Sequence, residues 1–485
     1  MSYLAIDLGA SSGRMVIGWL DGNVMHMDEV HRFITPLVER DAHLYWDVEL
    51  MWGEIRAGIR KAFASGHVLE SISVDSWAVD YVPLDVRGVA LRDPYSYRDP
   101  RTAGRMKVAI ACAGGADALY QRTGIQFLPF NTLPQVVADL ADEPDLARQT
   151  VTRLLIAEYF LYRLTGLRVA ESTMASTTQL VDVRTGQWAT DLIAAIGDDA
   201  SRWPRIVSCG TVLGPLDASL VPSGVIEPPV VIASCSHDTA AAVAAVPASG
   251  ERPWAFISSG TWSLIGEERA APVLTRDARE AGFTNEAGLD ATVRFLTNRA
   301  GMWVLEECRR EWEMQGEGST HGALFTAAAA ADSSGIIVNL NAPEFAERGG
   351  MLHKLAAACT LAGGALPTSQ GGVARLVLES LADSHAVALD QLESLTGEAV
   401  CDVHIVGGGS MNALLNQLTA DRCGRQVLAG PEEATVLGNL IVQARALHAL
   451  PRDSSVRDAA RQSTHLQVFS PRRAGHAARP TSFVP

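Results

Sequence analysis

Two stretches of the chain, 247 residues apart, read alike. SSGRMVIG at 11–18 and SSGTWSLIG at 258–266 each set a Ser-Ser-Gly turn between two apolar runs. Recurrence at about half the chain's length predicts two related domains facing each other across a cleft. The surrounding pattern fits that reading. Residues 3–8 and 15–20 are apolar runs, and Asp21-Gly22 marks a hairpin turn into a third run, 24–33. Asp47 stands ahead of Val48, Met51, Trp52, Ile55, Ile59 and Phe63 at helical spacing, with Gly66 beyond. A strand-like run at 71–74 follows, and strands alternating with helices predict an α/β class.

At 485 residues the chain exceeds one hydrophobic core, and 47% hydrophobic with 20% charged residues excludes a wholly disordered chain. The net charge of −15 argues against nucleic acid or an anionic membrane surface as partner. No run approaches the roughly 20 apolar residues of a membrane span. The first residues lack a basic, apolar leader, and the seven cysteines never fall in a CxxC spacing. Reduced thiols in a cytoplasmic enzyme are the expectation. The Pro/Arg/Ala-rich residues 466–485 are expected to form a mobile tail.

Several residue groups could carry chemistry. The chain lacks GxxxxGK[ST], the protein-kinase HRD/DFG set, and a strand followed by GxGxxG. Asp7 ends the first apolar run just before Gly9-Ala10-Ser11-Ser12-Gly13-Arg14. Small residues admit phosphate oxygens, Arg14 can neutralise them, and Asp7 can hold Mg²⁺ through water. Taken alone, the same residues also describe an ordinary hairpin. Ser236-His237-Asp238-Thr239 follows the strand-like run 230–233 and precedes an alanine-rich helical run. Asp238 there is either a helix cap or a general base at the carboxyl end of a strand. Thr261 could donate to a β- or γ-phosphate, and Gly407-Gly408-Gly409 follows the run 402–406 as a further anion-binding turn. Trp77 with Asp80, Tyr97-Arg98-Asp99 and the run 126–131 pair rings with polar groups, as carbohydrate sites do.

Together these pieces resemble the FGGY carbohydrate kinases of the actin-like ATPase superfamily. The matching stretches are AIDLGASSGR at 5–14, YRDPRT at 97–102, RTGIQFLPFNTL at 122–133, SHDTA at 236–240, SSGTWSL at 258–264 and VGGGSMNALLNQLTAD at 406–421. The likeness runs to about residue 445. It implies an α/β fold of two actin-like (ribonuclease H-like) domains with a catalytic cleft between them. The N-terminal domain would span 1–247, binding sugar and carrying the first phosphate loop, and the C-terminal, ATP-binding domain 248–455. The GIQFLPFNT run is the most particular and implies ATP-dependent phosphorylation of L-rhamnulose at O1 with Mg²⁺.

By position, the resemblance implies Asp238 as proton acceptor, with Ala78, His237, Thr239 and Asn298 as sugar contacts. It implies Ala10, Ser11, Ser12, Gly13, Arg14, Thr261 and Gly408 as ATP contacts. Three departures stand out. Ala78 occupies a position where the family often has Gly, Glu306 one where it has Gln, and Leu376 and Thr419 each replace one member of a cysteine pair found in some relatives. Another ketose or polyol (xylulose, fuculose, glycerol) as substrate, or a non-catalytic sensor of sugar or nucleotide, are the competing expectations.

Overall fold

The structure, a computed structural model, describes residues 1–451 and 454–472. The chain forms two compact units. The first comprises Met1–Ser249, Gly266–Thr297 and Glu433–His465, and the second Gly250–Ile265, Asn298–Glu432 and the described residues from Leu466 onward. Each unit therefore draws on more than one stretch of the chain. Packing in the first unit explains its late segment. Gly438, on helix Ala434–Ala446, sits so close to helix Asp238–Ala244 that a Cβ would lie 1.9 Å from the Ala241 carbonyl oxygen. Val436, Leu437, Leu440 and Ile441 share an apolar cluster with Tyr3, Ala5 and Val16.

A sheet of the first unit runs in the order Thr211–Pro215, Val230–Ala233, Leu69–Ser76, Ser2–Leu8, Ser12–Asp21, Val24–Ile34. Its three middle-lying strands, Val230–Ala233, Leu69–Ser76 and Ser2–Leu8, are mutually parallel. Strand side chains alternate between faces, and both faces of Ser2–Leu8 are covered. Leu4 and Ile6 pack with Met51, Ile55 and Ile59 of helix Val48–Ala64, whereas Tyr3 and Ala5 pack with the late segment. The helix begins where its spacing predicts, with the Asp47 carboxylate accepting from the Leu50 N–H at 2.9 Å.

In the second unit, strands Trp254–Ser259, Asp402–Val406 and Gln426–Ala429 lie parallel, with Ser258 opposite Val406. Its core gathers Leu305, Leu324, Leu376, Val377 and Leu381. Gln467–Phe469 pairs antiparallel with Gln426–Ala429, so the start of the segment expected to be mobile is a strand held by ladder hydrogen bonds. The remainder of that expected tail, 473–485, lies outside the described residues. All seven cysteines are free thiols. Among the described residues, no helix is long and apolar enough to cross a membrane.

Candidate functional site

The carboxyl ends of the three parallel strands of the first unit each deliver an acid. Asp7 and Asp75 are register partners, and Ser76 bridges in parallel to His237, one residue before Asp238. Open α/β sheets present ligand-binding groups at this edge. The charge of Asp7 acts on the other two carboxyls. Burial first, and then the charge of Asp7, push the Asp238 carboxyl up to about 7. Burial and the neighbouring Asp7 and Asp238 hold Asp75 well above the usual carboxylate range, against the donor Asn439. The Asp7 carboxylate, already paired with Arg14, is of the oxygen type that suits a hard divalent cation keeping its waters and taking phosphate oxygens. Among the described residues, no group of three or more His, Cys, Asp or Glu is arranged to hold a metal by itself.

Asp238 is the first residue of its helix, and His237 occupies the cap position expected for Asp238. Its Oδ1 accepts from the Thr239 N–H at 2.5 Å and the Thr239 hydroxyl at 3.1 Å, and His237 Nε2 lies 3.2 Å away. Oδ2 has no partner among the described residues, and the side chain is 32% exposed. The loop is anchored from behind. Glu171 accepts from the Ser236 N–H at 3.0 Å, and the Thr173 hydroxyl from the His237 N–H at 3.2 Å. Arg294 donates to His237 Nδ1 at 3.1 Å and pairs with Glu286 at 3.1 Å. Burial and the Arg294 charge push the His237 imidazole well below its usual range.

The turn joining strands Ser2–Leu8 and Ser12–Asp21 contains Ala10 and Ser11, closed by Gly9 N–H donating to the Ser12 carbonyl at 3.0 Å. Arg14 Nε donates to Asp7 Oδ2 at 2.8 Å, and its other arm pairs with Glu433. Gly13 is small for a packing reason. A Cβ there would lie 2.3 Å from the Phe33 ring.

Ala78 opens a strained turn. The Asp80 N–H donates back to the Ala78 carbonyl at 3.0 Å, and Val79 between them has φ 72°, rare for a β-branched residue. The Thr132 hydroxyl holds the Val79 carbonyl at 2.7 Å. The polar clusters expected to read sugar hydroxyls are largely engaged within the protein. Asp80 accepts from the Trp46 and Trp77 indoles, the Tyr97 N–H and Gln135 at 2.7–3.0 Å, and burial still raises it to about 6. Asp99 accepts from the Leu44 and Arg101 N–H groups, and Asn131 donates to the Gln126 carbonyl.

In the second unit, Thr261 is exposed in the turn between strands Trp254–Ser259 and Trp262–Arg269. The glycine turn lies beside it. A Cβ on Gly409 would fall 2.0 Å from Ser259 Oγ, whereas Gly408 is exposed with open space around it. Asn298 is half-buried on strand Val293–Ala300. The Glu306 carboxylate is engaged by Arg309 at 3.2 Å and by His321.

Thus the first unit gathers Asp7, Ala10 to Arg14, Ala78, His237, Asp238 and Thr239, and the second Thr261, Asn298 and Gly408. The sequence reading passes over Asp75, Arg294, Glu286, Glu433 and Asn439. An acid ending the run 71–74 is the same signal as Asp7, and a lone Arg within the apolar strand VRFLT was legible as an anomaly.

Two compact α/β units with acids and small-residue turns at strand ends are the framework of a phosphoryl-transferring sugar kinase. The chain belongs to the FGGY family of carbohydrate kinases. The model of that family's N-terminal domain matches residues 2–245 and that of its C-terminal domain residues 255–447. The chain is 40% identical to a rhamnulokinase of Klebsiella pneumoniae subsp. pneumoniae (98% of this chain, 96% of the relative). It is 37% identical to a rhamnulokinase of Bacillus subtilis (97% and 96%). Among solved structures it resembles xylulose kinase from Lactobacillus acidophilus, with TM-score 0.79 at 17% identity over 97% of this chain and 94% of that one. Plasmodium falciparum glycerol kinase with ADP gives 0.77 at 16% identity over the same shares. The fold is accordingly the actin-like, ribonuclease H-like one, and the enzyme is a carbohydrate kinase with ATP and a small sugar as substrates.

Proposed function

We propose that this kinase transfers the γ-phosphoryl group of ATP to O1 of L-rhamnulose, giving L-rhamnulose 1-phosphate and ADP in the cytoplasmic breakdown of L-rhamnose. The choice of sugar is supported by the curated rhamnulokinases, 37–40% identical over nearly the whole chain. The single observation that carries the mechanism is the state of Asp238, a carboxyl raised to about 7 with Oδ1 held and Oδ2 without a partner among the described residues.

In phosphoryl transfer the protein mainly positions groups and stabilises charge. Asp238 Oδ2 accepts the O1 proton as O1 bonds to phosphorus and the bond to the ADP oxygen breaks. The Ala78 turn, His237, Thr239 and Asn298 orient the sugar. Ala10, Ser11, Ser12, Gly13, Arg14, Thr261 and Gly408 contact ATP, with sugar and first-phosphate contacts assigned to 1–247 and ATP binding to 248–455. Mg²⁺, held by Asp7 through water, would neutralise charge on the phosphate oxygens. The negative net charge argues against nucleic acid or a membrane surface as the main partner.

A coupled assay of ADP release with L-rhamnulose, xylulose, fuculose and glycerol tests the reading. The highest kcat/KM is expected for L-rhamnulose. A higher value for another acceptor would reassign the substrate, and no ADP release with any of them would favour a sensor.

A further inference from the structure

The buried pair behind His237 has a consequence for the base. Arg294 is fully buried on an apolar strand, with Nε donating to the Ala287 carbonyl at 3.0 Å. One terminal nitrogen lies 3.1 Å from both Glu286 Oε2 and His237 Nδ1. A guanidinium has five donors, no acceptor, and stays charged. At that contact Nδ1 must therefore offer its lone pair, and the single proton of a neutral imidazole goes to Nε2. Nε2 is the atom 3.2 Å from Asp238 Oδ1.

We infer that Arg294 and Glu286 are positioning residues that fix His237 in its Nε2–H form, so that the ring donates to Asp238 Oδ1 and leaves Oδ2 to the sugar hydroxyl. The inference rests on the reading of Asp238 as the base. Glu286 serves by balancing the Arg294 charge, which lets a guanidinium lie beside an imidazole out of water. The charged groups facing His237 are Asp238 on its own helix, Arg294 and Glu286 on the paired strands, and Glu171 behind the Ser236 N–H, with Asp7 and Asp75 beyond Asp238. Protonating the ring would set two cations side by side, so it remains neutral at working pH. Oδ1 then holds the two Thr239 donors with the Nε2–H facing it at 3.2 Å, which fixes the carboxylate plane for proton transfer.

The test combines ¹⁵N NMR of histidine-labelled protein, with His237 assigned through His237→Gln, and kinetics of Arg294→Met, Arg294→Lys and the charge-balanced Arg294→Met/Glu286→Gln. In the unaltered enzyme His237 should show a bare Nδ1 and a protonated Nε2 throughout pH 6–9. Arg294→Met should release the ring to titrate in that range, add an ionisation to the pH profile of kcat, and lower kcat about 10–100-fold with KM for ATP unchanged. Arg294→Lys should restore part of the loss. If Arg294→Met does not fold, the double variant and the unaltered enzyme's spectrum carry the test. A protonated Nδ1 in the unaltered enzyme, or an unchanged pH profile in a folded variant, would overturn the inference. Undiminished turnover in Asp238→Asn would instead overturn the base assignment while leaving the tautomer measurement intact.

Discussion

Asp7 and Asp75 are register partners on adjacent parallel strands, so the chain sets two carboxyls side by side at the end of its sheet. Asp75 is fully buried, its Oδ2 accepts from Asn439 at 2.5 Å, and its Oδ1 has no partner among the described residues. Burial and its acidic neighbours raise its proton affinity above that in the unfolded chain. A raised carboxyl contributes stability that is full at low pH and lost as pH climbs through the folded-state value. Asp75→Asn should therefore melt higher than the unaltered protein at pH 8.5 and differ little at pH 4. Calorimetry at both values checks this, and equal melting at pH 8.5 would contradict it.

Replacing Asp238 by Asn should lower kcat about 10²–10⁴-fold while leaving calorimetric binding of an ATP analogue intact. The base must be ionised to accept a proton, so kcat/KM for the sugar should rise with pH through about 7. Asp7 is the largest cause of that elevation after burial. Whatever activity Asp7→Asn retains should therefore rise at lower pH. A limb that stays in place would remove the coupling between the two acids.

Much of this site could be read from the chain, because its signals are local. Asp7 and Asp238 each follow an apolar run, and the Ser-Ser-Gly turns recur in like surroundings. Arg294 and His237 are 57 residues apart, and their meeting depends on the antiparallel pairing of Glu286 with Arg294. Nothing local encodes that register. Asp80 is the opposite case. Beside Trp77 it looks like a sugar-reading acid, yet the fold brings Trp46, Tyr97 and Gln135 to use its oxygens. The compact units likewise depend on Gly438 meeting Ala241, a contact between segments almost 200 residues apart.

The Ala78 turn depends on Thr132. Its hydroxyl is buried and holds the Val79 carbonyl at 2.7 Å, with Gln135 a weaker second donor at 3.4 Å. Thr132→Val keeps the shape and deletes the donor, which should cost about 0.5–1.5 kcal/mol by denaturant titration. With the strained turn less firmly held, KM for the sugar should rise several-fold while KM for ATP stays put. Equal rises in both constants would mean that the turn does not serve the sugar.

Neighbouring glycines in the second unit separate binding from folding. Gly408 has open space where a Cβ would go, so Gly408→Ala should change stability by less than about 0.5 kcal/mol. If its exposed backbone contacts ATP, the added methyl should still raise KM for ATP and leave KM for the sugar unchanged. At Gly409 a Cβ would meet Ser259 Oγ at 2.0 Å and Ser259 Cβ at 2.5 Å. Gly409→Ala must push the two turns apart and should cost about 1–3 kcal/mol. Thermal melts with ATP titrations on both variants give the comparison. A stable Gly408→Ala enzyme with unaltered KM for ATP would take the glycine turn out of the nucleotide site.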